Sequence, residues 1–211
     1  MKALIIANGT LPSSRIVKNL FSSSDLIVCA DGGANHARKL RIEPDIILGD
    51  LDSITSKTKK YFSRVPMMLI EDQNSTDLEK AIEFCIQRSC DSIDVVGATG
   101  DRLDHSTGSL GCFKKFGNKV ELKMFDTVGT ISRINKKIEF LAKVGEKLSL
   151  IPLEKCEGVT TKNLKYALRN DALELGVREG ISNGATAKQV TISVKKGTLL
   201  LYRFYQNLNT L

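Results

Sequence analysis

The chain has 211 residues, of which 42% are hydrophobic, a formal net charge of +7 and no tryptophan, which is enough apolar material for one large domain or two small ones with real cores. No run approaches the roughly 18 to 20 apolar residues of a membrane span, and the opening MKALIIANGT turns polar too soon for a signal peptide, so no membrane partner is expected and a cytoplasmic location is the default. The five cysteines, Cys29, Cys85, Cys90, Cys112 and Cys156, are odd in number and form no CxxC pair; they speak against a disulfide framework or a zinc site and read as reduced core residues.

In chain order, apolar runs (ALIIA, DLIVCA, DIILG, MMLI, SIDVVGA) alternate with helical patterns (SSRIVKNLF, GGANHARKL, STDLEKAIEFCIQRSC, STGSLGCFKKFG) through the first half. Strands apolar on both faces and separated by helices predict a Rossmann-like α/β domain with a mostly parallel sheet. From about residue 119 the pattern changes to short strands between turn signals, VELKMF, GTISRI, KKIEFL, EKLSLIPL, AKQVTISV and GTLLLYRF. This predicts an antiparallel β-sandwich, with the two domains spanning 1–117 and 118–211.

Charge divides at the same place. Residues 1–117 carry 15 Lys+Arg and 15 Asp+Glu, whereas 118–211 carry 16 and 9. The basic surplus is spread along strands without interleaved aromatics or a Lys/Arg run longer than two, as a solvated face would be, so no nucleic-acid partner is expected. Eleven of the 13 aspartates fall in the first half, many at the ends of apolar runs.

Ligands of open α/β sheets bind beyond the carboxyl ends of the strands, and acids gather at those ends here. Asp31 follows LIVCA; Asp50 and Asp52 follow DIILG; Asp72, Gln73, Thr76 and Asp77 follow MMLIE; Asp101, Arg102, Asp104 and His105 follow DVVGATG. Such carboxylates repel one another unless a cation sits among them, and an all-oxygen cluster suits a hard cation such as Mg2+. Magnesium in turn suggests phosphate. Neither a Walker A motif nor GxGxxG is present, so phosphate would rest on metal, Lys80, Arg102 and glycine backbone. Each feature has a plainer reading. Thr76, Asp77 and Glu79 make a capping-box pattern with an early acid, Gly32 and Gly33 suit a tight turn, and His36 reads as a surface residue. What favours function is acids at four consecutive strand ends.

The blocks ADGGAN (30–35), PDIILGDLDSI (44–54), DQNSTDLEKAI (72–82), GATGDRLDH (97–105), NLKYAL (163–168) and GISN (180–183) together resemble the thiamine pyrophosphokinase family of the bacterial type, in family order and over most of the chain. The resemblance implies transfer of the pyrophosphoryl group of ATP to the hydroxyethyl group of thiamine, by a homodimer with active sites near the subunit interface. It implies that Asp50, Asp52 and Asp77 bind Mg2+ with Asp31 close by, and that Gln73, Thr76, Lys80 and Arg102 line the nucleotide phosphates. It also implies that Asp104, His105, Ser182 and Asn183 contact thiamine. Two departures stand out. Gly184 follows SN where bacterial members of the family commonly carry an acid, and this chain has no tryptophan, which in some members covers the thiamine ring from the partner subunit; Tyr166 and Phe204 are candidates by chemical type. A haloacid-dehalogenase-type phosphatase is the rival for DLDSI, but Ile54 stands where that motif needs Thr. The other alternative is a different Mg-dependent pyrophosphokinase or phosphohydrolase on the same nucleotide site, since acceptor identity rests mainly on Ser182 and Asn183.

Overall fold

A computed structural model describes residues 1–100 and 102–205; Asp101, one of the acids singled out above, lies outside them. The chain divides into two compact units, Met1–Thr127 and a second beginning at Val128.

The first unit alternates strand and helix: β1 (Lys2–Ile6), α1 (Ser14–Ser22), β2 (Leu26–Ala30), α2 (Gly33–Leu40), β3 (Ile46–Gly49), α3 (Ser56–Tyr61), β4 (Met67–Leu69), α4 (Asp77–Gln87), β5 (Ser92–Val96), α5 (Leu103–Phe116) and β6 (Glu121–Phe125). Its strands run parallel in the order β6-β5-β1-β2-β3-β4. The central strands are apolar because both faces are covered. Leu4, Ile6, Cys29 and Ile47 meet Val17, Ala34, Ala37 and Phe62 on one face, while α4 packs across β1, β2 and β3. Burying these side chains is the main stabilising term, at about 1.5 to 3 kcal/mol for each large aliphatic residue. After β1 the chain builds outward through β2, β3 and β4, then returns to the other side of β1 with β5. The switch in direction therefore falls between β1 and β5, which places a crevice above their carboxyl ends.

The second unit is antiparallel throughout: β7 (Gly129–Arg133), β8 (Lys137–Leu141), β9 (Lys147–Pro152), β10 (Cys156–Lys162), β11 (Arg169–Leu173), β12 (Gly180–Gly184), β13 (Gln189–Ser193) and β14 (Leu199–Phe204). One layer orders as β7-β14-β9-β12 and the other as β8-β13-β10-β11. Leu148, Leu150, Leu199 and Leu201 from the first layer and Val159, Val190 and Ile192 from the second form one buried cluster, the interior of a β-sandwich.

Three details differ from the sequence reading. The run VELKMF, grouped above with the second half, is β6, and it lies parallel to β5 in register Ser92↔Glu121 through Val96↔Phe125. Its burial alternates because one face is open to solvent, and in one dimension that pattern looks like an antiparallel strand. Helix α3 went unnoticed because it is a single polar stretch, SKTKKY, held at its start by Thr55, whose hydroxyl accepts from the Thr58 N–H. Strands β10, β11 and β12 were hidden by polar composition and by irregular pairing at Gly158 and Ser182, whose φ angles are 68° and 56°.

Candidate active site

The functional side chains of the first unit converge because its strand ends do. The Asp31 N–H donates to Leu48 O at 2.8 Å, tying the end of β2 to β3, and Asp31 has φ 42°, a left-handed conformation uncommon for a residue with a side chain. Helix α2 can start immediately afterwards only because residue 33 is glycine: a Cβ there would lie 1.9 Å from Ile6 O. Asp50 follows Gly49, and Asp77 opens α4. Thr76 caps that helix, accepting from Glu79 N–H at 3.3 Å while Glu79 accepts from Thr76 N–H at 2.9 Å; the capping box read from the sequence is formed.

Carboxylate oxygens of Asp31, Asp50 and Asp77 lie within 4.8 Å of one another. Asp31 is 5% exposed, and its Oδ1 is buried without a hydrogen-bond partner. An unpartnered buried carboxylate oxygen is costly, and burial first, then the neighbouring charges of Asp77 and Asp50, holds the Asp31 carboxyl above its ordinary pKa. Gly49 keeps the cluster open. A Cβ at this position would sit 2.9 Å from Asp77 Oδ1 and 3.0 Å from Asp31 Cβ, and its φ of 139° also disfavours a side chain. Three converging carboxylates, one of which has a buried oxygen lacking any donor, fit a hard divalent cation.

Asp52 is not in this group. Leu51 takes φ 63°, the Asp52 N–H folds back onto Asp50 Oδ1 at 3.2 Å, and exposed Asp52 accepts from the Ser53 hydroxyl at 2.8 Å. Alternation in a D-x-D pair would place both acids on one side of an extended strand; the left-handed Leu51 breaks that alternation, and Asp31 comes in from the neighbouring strand. Asn35 braces this loop from α2: its Nδ2 donates to Ser53 O at 2.9 Å, and its Oδ1 accepts from Thr55 N–H at 3.2 Å and from the Thr55 hydroxyl at 3.1 Å.

A cleft of about 640 Å³ opens above the carboxyl ends of β1 and β5, lined by Asp31, Asp50, Asp77 and Lys80 together with Gln73, Thr76, Arg102, Asp104 and His105. The buried Lys80 extends its ammonium to Asp77 Oδ1 at 3.1 Å. Gln73 is exposed, its amide 3.4 Å from Glu71 O. Asp72 points elsewhere: it accepts from the N–H and side chain of Asn74 and from the Ser75 hydroxyl, and these bonds, Ser75 first, hold its carboxyl low. Arg102 and Asp104 form an exposed two-point pair whose Nε to Oδ1 distance is 3.1 Å. The guanidinium hydrogen bond pushes the Asp104 carboxyl down to about 2.

The sequence reading missed the loop after β1. Ala7, Gly9 and Thr10 donate backbone N–H groups to Val96, Gly97 and Thr99 carbonyls at 2.8 to 2.9 Å, and this zipper sets one wall of the cleft, with Asn8, Gly9 and Thr99 lining it. The signal was available, since ANGT ends an apolar strand as the other site loops do.

Ser182 and Asn183 stand in β12 of the second unit. Ser182 is exposed, with its backbone N–H on the Ser149 hydroxyl at 3.0 Å. Asn183 is 4% exposed, and its carboxamide is committed to the Tyr166 backbone.

Residues 17–125 match the family model described as "Thiamin pyrophosphokinase, catalytic domain", and residues 133–199 match "Thiamin pyrophosphokinase, vitamin B1 binding domain". The chain belongs to the thiamin pyrophosphokinase family. Among relatives, it is 29% identical to "Thiamine pyrophosphokinase 1" of Oryza sativa over 225 residues, covering 90% of this chain and 83% of that one. It is 28% identical to "Thiamine pyrophosphokinase" of Bacillus subtilis over 169 residues, covering 77% and 79%. The fold is that of the solved thiamin pyrophosphokinase from Candida albicans, with TM-score 0.87, 20% identity and coverage of 97% and 89%. Asp31, Asp50 and Asp77 lie within the span that matches this family's catalytic domain, as does most of the cleft lining apart from Ala7, Asn8 and Gly9, and Tyr166, Ser182 and Asn183 lie within the span that matches its vitamin B1 binding domain.

Proposed function

We propose that the protein transfers the pyrophosphoryl group of ATP to the hydroxyethyl oxygen of thiamine, giving thiamine diphosphate and AMP. The observation that carries this reading is the Asp31, Asp50 and Asp77 cluster, with its unpartnered buried oxygen, in the cleft of the family's catalytic domain. In this reaction a bond forms between the thiamine oxygen and the β-phosphorus, and the bond from that phosphorus to the oxygen bridging the α-phosphate breaks. AMP leaves with the bridging oxygen, and the hydroxyl proton is released. Negative charge grows on the attacked group and on the leaving phosphate, so the site must neutralise it.

Asp31, Asp50 and Asp77 would hold Mg2+, which when bound supplies positive charge to the polyphosphate. Lys80, through its contact with Asp77, balances part of the negative charge of this cluster. Gln73, Thr76 and Arg102 offer polar groups along the cleft to the nucleotide phosphates, Arg102 by exchanging Asp104 for a phosphate oxygen. Asp104, whose carboxyl Arg102 holds low in the free protein, offers carboxylate oxygens as hydrogen-bond acceptors toward thiamine once Arg102 turns to phosphate. His105 and Ser182 are exposed and polar, in keeping with a role in thiamine binding. For the ring cover, Tyr166 is favoured over Phe204. Tyr166 is 58% exposed and its ring already faces a cation, Lys165 Nζ, at 5.3 Å from the centroid, whereas the Phe204 ring packs on Tyr202 with centroids 4.6 Å apart.

A homodimer is part of the same reading. It is supported by large apolar side chains on the surface of the second unit, Leu141, Val144, Leu175, Val177 and Ile181, each between 63% and 79% exposed, and light scattering on the purified protein tests it. The activity is tested by incubating the protein with ATP, Mg2+ and thiamine and separating the products. Thiamine diphosphate and AMP in equal amounts, dependent on thiamine, is the expected result; ADP with thiamine monophosphate would refute it.

A further inference from the structure

The segment joining β10 to β11 is pinned at both ends. Leu164 and Leu168 are each 5% exposed and belong to the buried cluster of the sandwich, while Lys165, Tyr166 and Ala167 between them face outward. An isolated bridge pairs Leu164 with Ala185, and the Lys165 N–H donates to Gly184 O at 2.8 Å. That pairing does not reach Tyr166, whose backbone N–H and C=O are satisfied instead by one side chain. Asn183 Oδ1 accepts from Tyr166 N–H at 3.0 Å, and Asn183 Nδ2 donates to Tyr166 O at 2.8 Å.

A carboxamide presents a donor and an acceptor side by side, as a peptide unit does, so it can stand in for a missing strand partner. Asn183 Oδ1 also accepts from Gly184 N–H at 2.9 Å, which uses the second lone pair of that oxygen. A single amide hydrogen is left on a residue only 4% exposed. Such a group has little to offer a ligand. An exposed ring on an outward loop, by contrast, is useful to a ligand only if its backbone is held, because ordering it on binding would cost affinity.

We infer that Asn183 is a positioning residue that fixes Tyr166 for the cationic ring system of thiamine, and is not itself a ligand contact. This rests on the proposal that the chain binds thiamine with Tyr166 as its aromatic cover. Gly184 fits the same arrangement, since it contributes its backbone N–H, and a Cβ there would meet nothing closer than Glu146 O at 3.9 Å, so packing does not exclude a larger residue.

The test is a double-mutant cycle read in the KM for thiamine. Tyr166→Ala and Asn183→Ala should each raise it by about tenfold, the scale of one aromatic contact to a cation, with much smaller effects on kcat and on the KM for ATP. The double variant should match Tyr166→Ala alone, because Asn183 acts only through Tyr166. Asn183→Asp keeps the two acceptor bonds and loses the donor, so it should fall between wild type and Asn183→Ala, and it serves in the same cycle if Asn183→Ala does not fold. As the chain has no tryptophan, Tyr166→Trp provides a unique fluorophore; its emission anisotropy in the absence of substrate should drop when Asn183→Ala is added. Multiplying effects in the double variant, or unchanged anisotropy, would overturn the inference and make Asn183 a direct contact or a general stabiliser. An unchanged thiamine KM in Tyr166→Ala would overturn it as well, by removing the role of the ring, whereas failure of the function proposal itself would show in the wild type as no thiamine-dependent turnover.

Discussion

Lys80 Nζ lies 3.1 Å from Asp77 Oδ1, with 5% of the lysine side chain and 28% of the aspartate exposed. A buried ammonium beside three converging carboxylates offsets part of their mutual repulsion. Lys80→Met removes that charge while keeping the aliphatic stem. Breaking a buried pair costs about 3 to 5 kcal/mol when both partners are enclosed; with Asp77 partly open, about 2 kcal/mol is expected from thermal unfolding in EDTA. Added Mg2+ should then raise the melting temperature of the variant by more than that of wild type. An equal or smaller rise would show that Lys80 does not balance the cluster.

Asp31→Asn separates stability from activity. The buried carboxylate is held above its ordinary pKa by burial and by Asp77 and Asp50, so it opposes folding of the metal-free protein at neutral pH. In sign terms, a raised pKa favours the folded state at low pH, and this advantage is lost as pH rises through the folded value. The amide should therefore melt higher than wild type in EDTA near pH 7, lose the melting shift caused by Mg2+, and lose turnover by at least about a hundredfold. Asp52→Asn should raise the Mg2+ requirement less, because Asp52 stands outside the cluster. The reverse order would return Asp52 to the metal and remove Asp31.

Gly49→Ala should damage the same centre from behind. The new methyl would meet Asp77 Oδ1 at 2.9 Å, and φ 139° is a backbone conformation that alanine avoids. A loss of about 2 to 3 kcal/mol of stability and a higher Mg2+ requirement are expected together. Wild-type Mg2+ dependence in a destabilised variant would show strain without displacement of the carboxylates.

The sequence went far with the fold and part of the way with this site. Apolar runs such as LIVCA and DIILG are parallel strands because both faces are covered, and the acids at their ends do meet. What a linear reading could not supply was the backbone twist at Leu51, which leaves Asp52 outside the cluster, whereas Asp31, expected close by, stands within it. Asn183 shows the same limit. Its place in GISN marks it as functional, but only the fold shows its amide turned onto Tyr166. Strand β6 was misgrouped because a strand with one face exposed has the same period in either kind of sheet.

The Arg102 and Asp104 pair gives a pH prediction. Its carboxyl is at about 2, below the ordinary value, so any stabilisation from it is present above the unfolded pKa and lost only as pH falls through about 2. Asp104→Asn should lower kcat/KM for thiamine without removing either limb of the profile between about pH 5.5 and 8.5. Disappearance of a limb would make Asp104 a proton-transferring group.

Transfer of both terminal phosphates in one step is tested most directly with ATP labelled at the β-phosphorus, supplied with Mg2+ and excess thiamine. The label should appear in thiamine diphosphate, at the phosphorus bonded to the hydroxyethyl oxygen, with unlabelled AMP in equal amount. Label retained in ADP, with unlabelled thiamine monophosphate, would mean attack at the γ-phosphorus and would contradict pyrophosphoryl transfer.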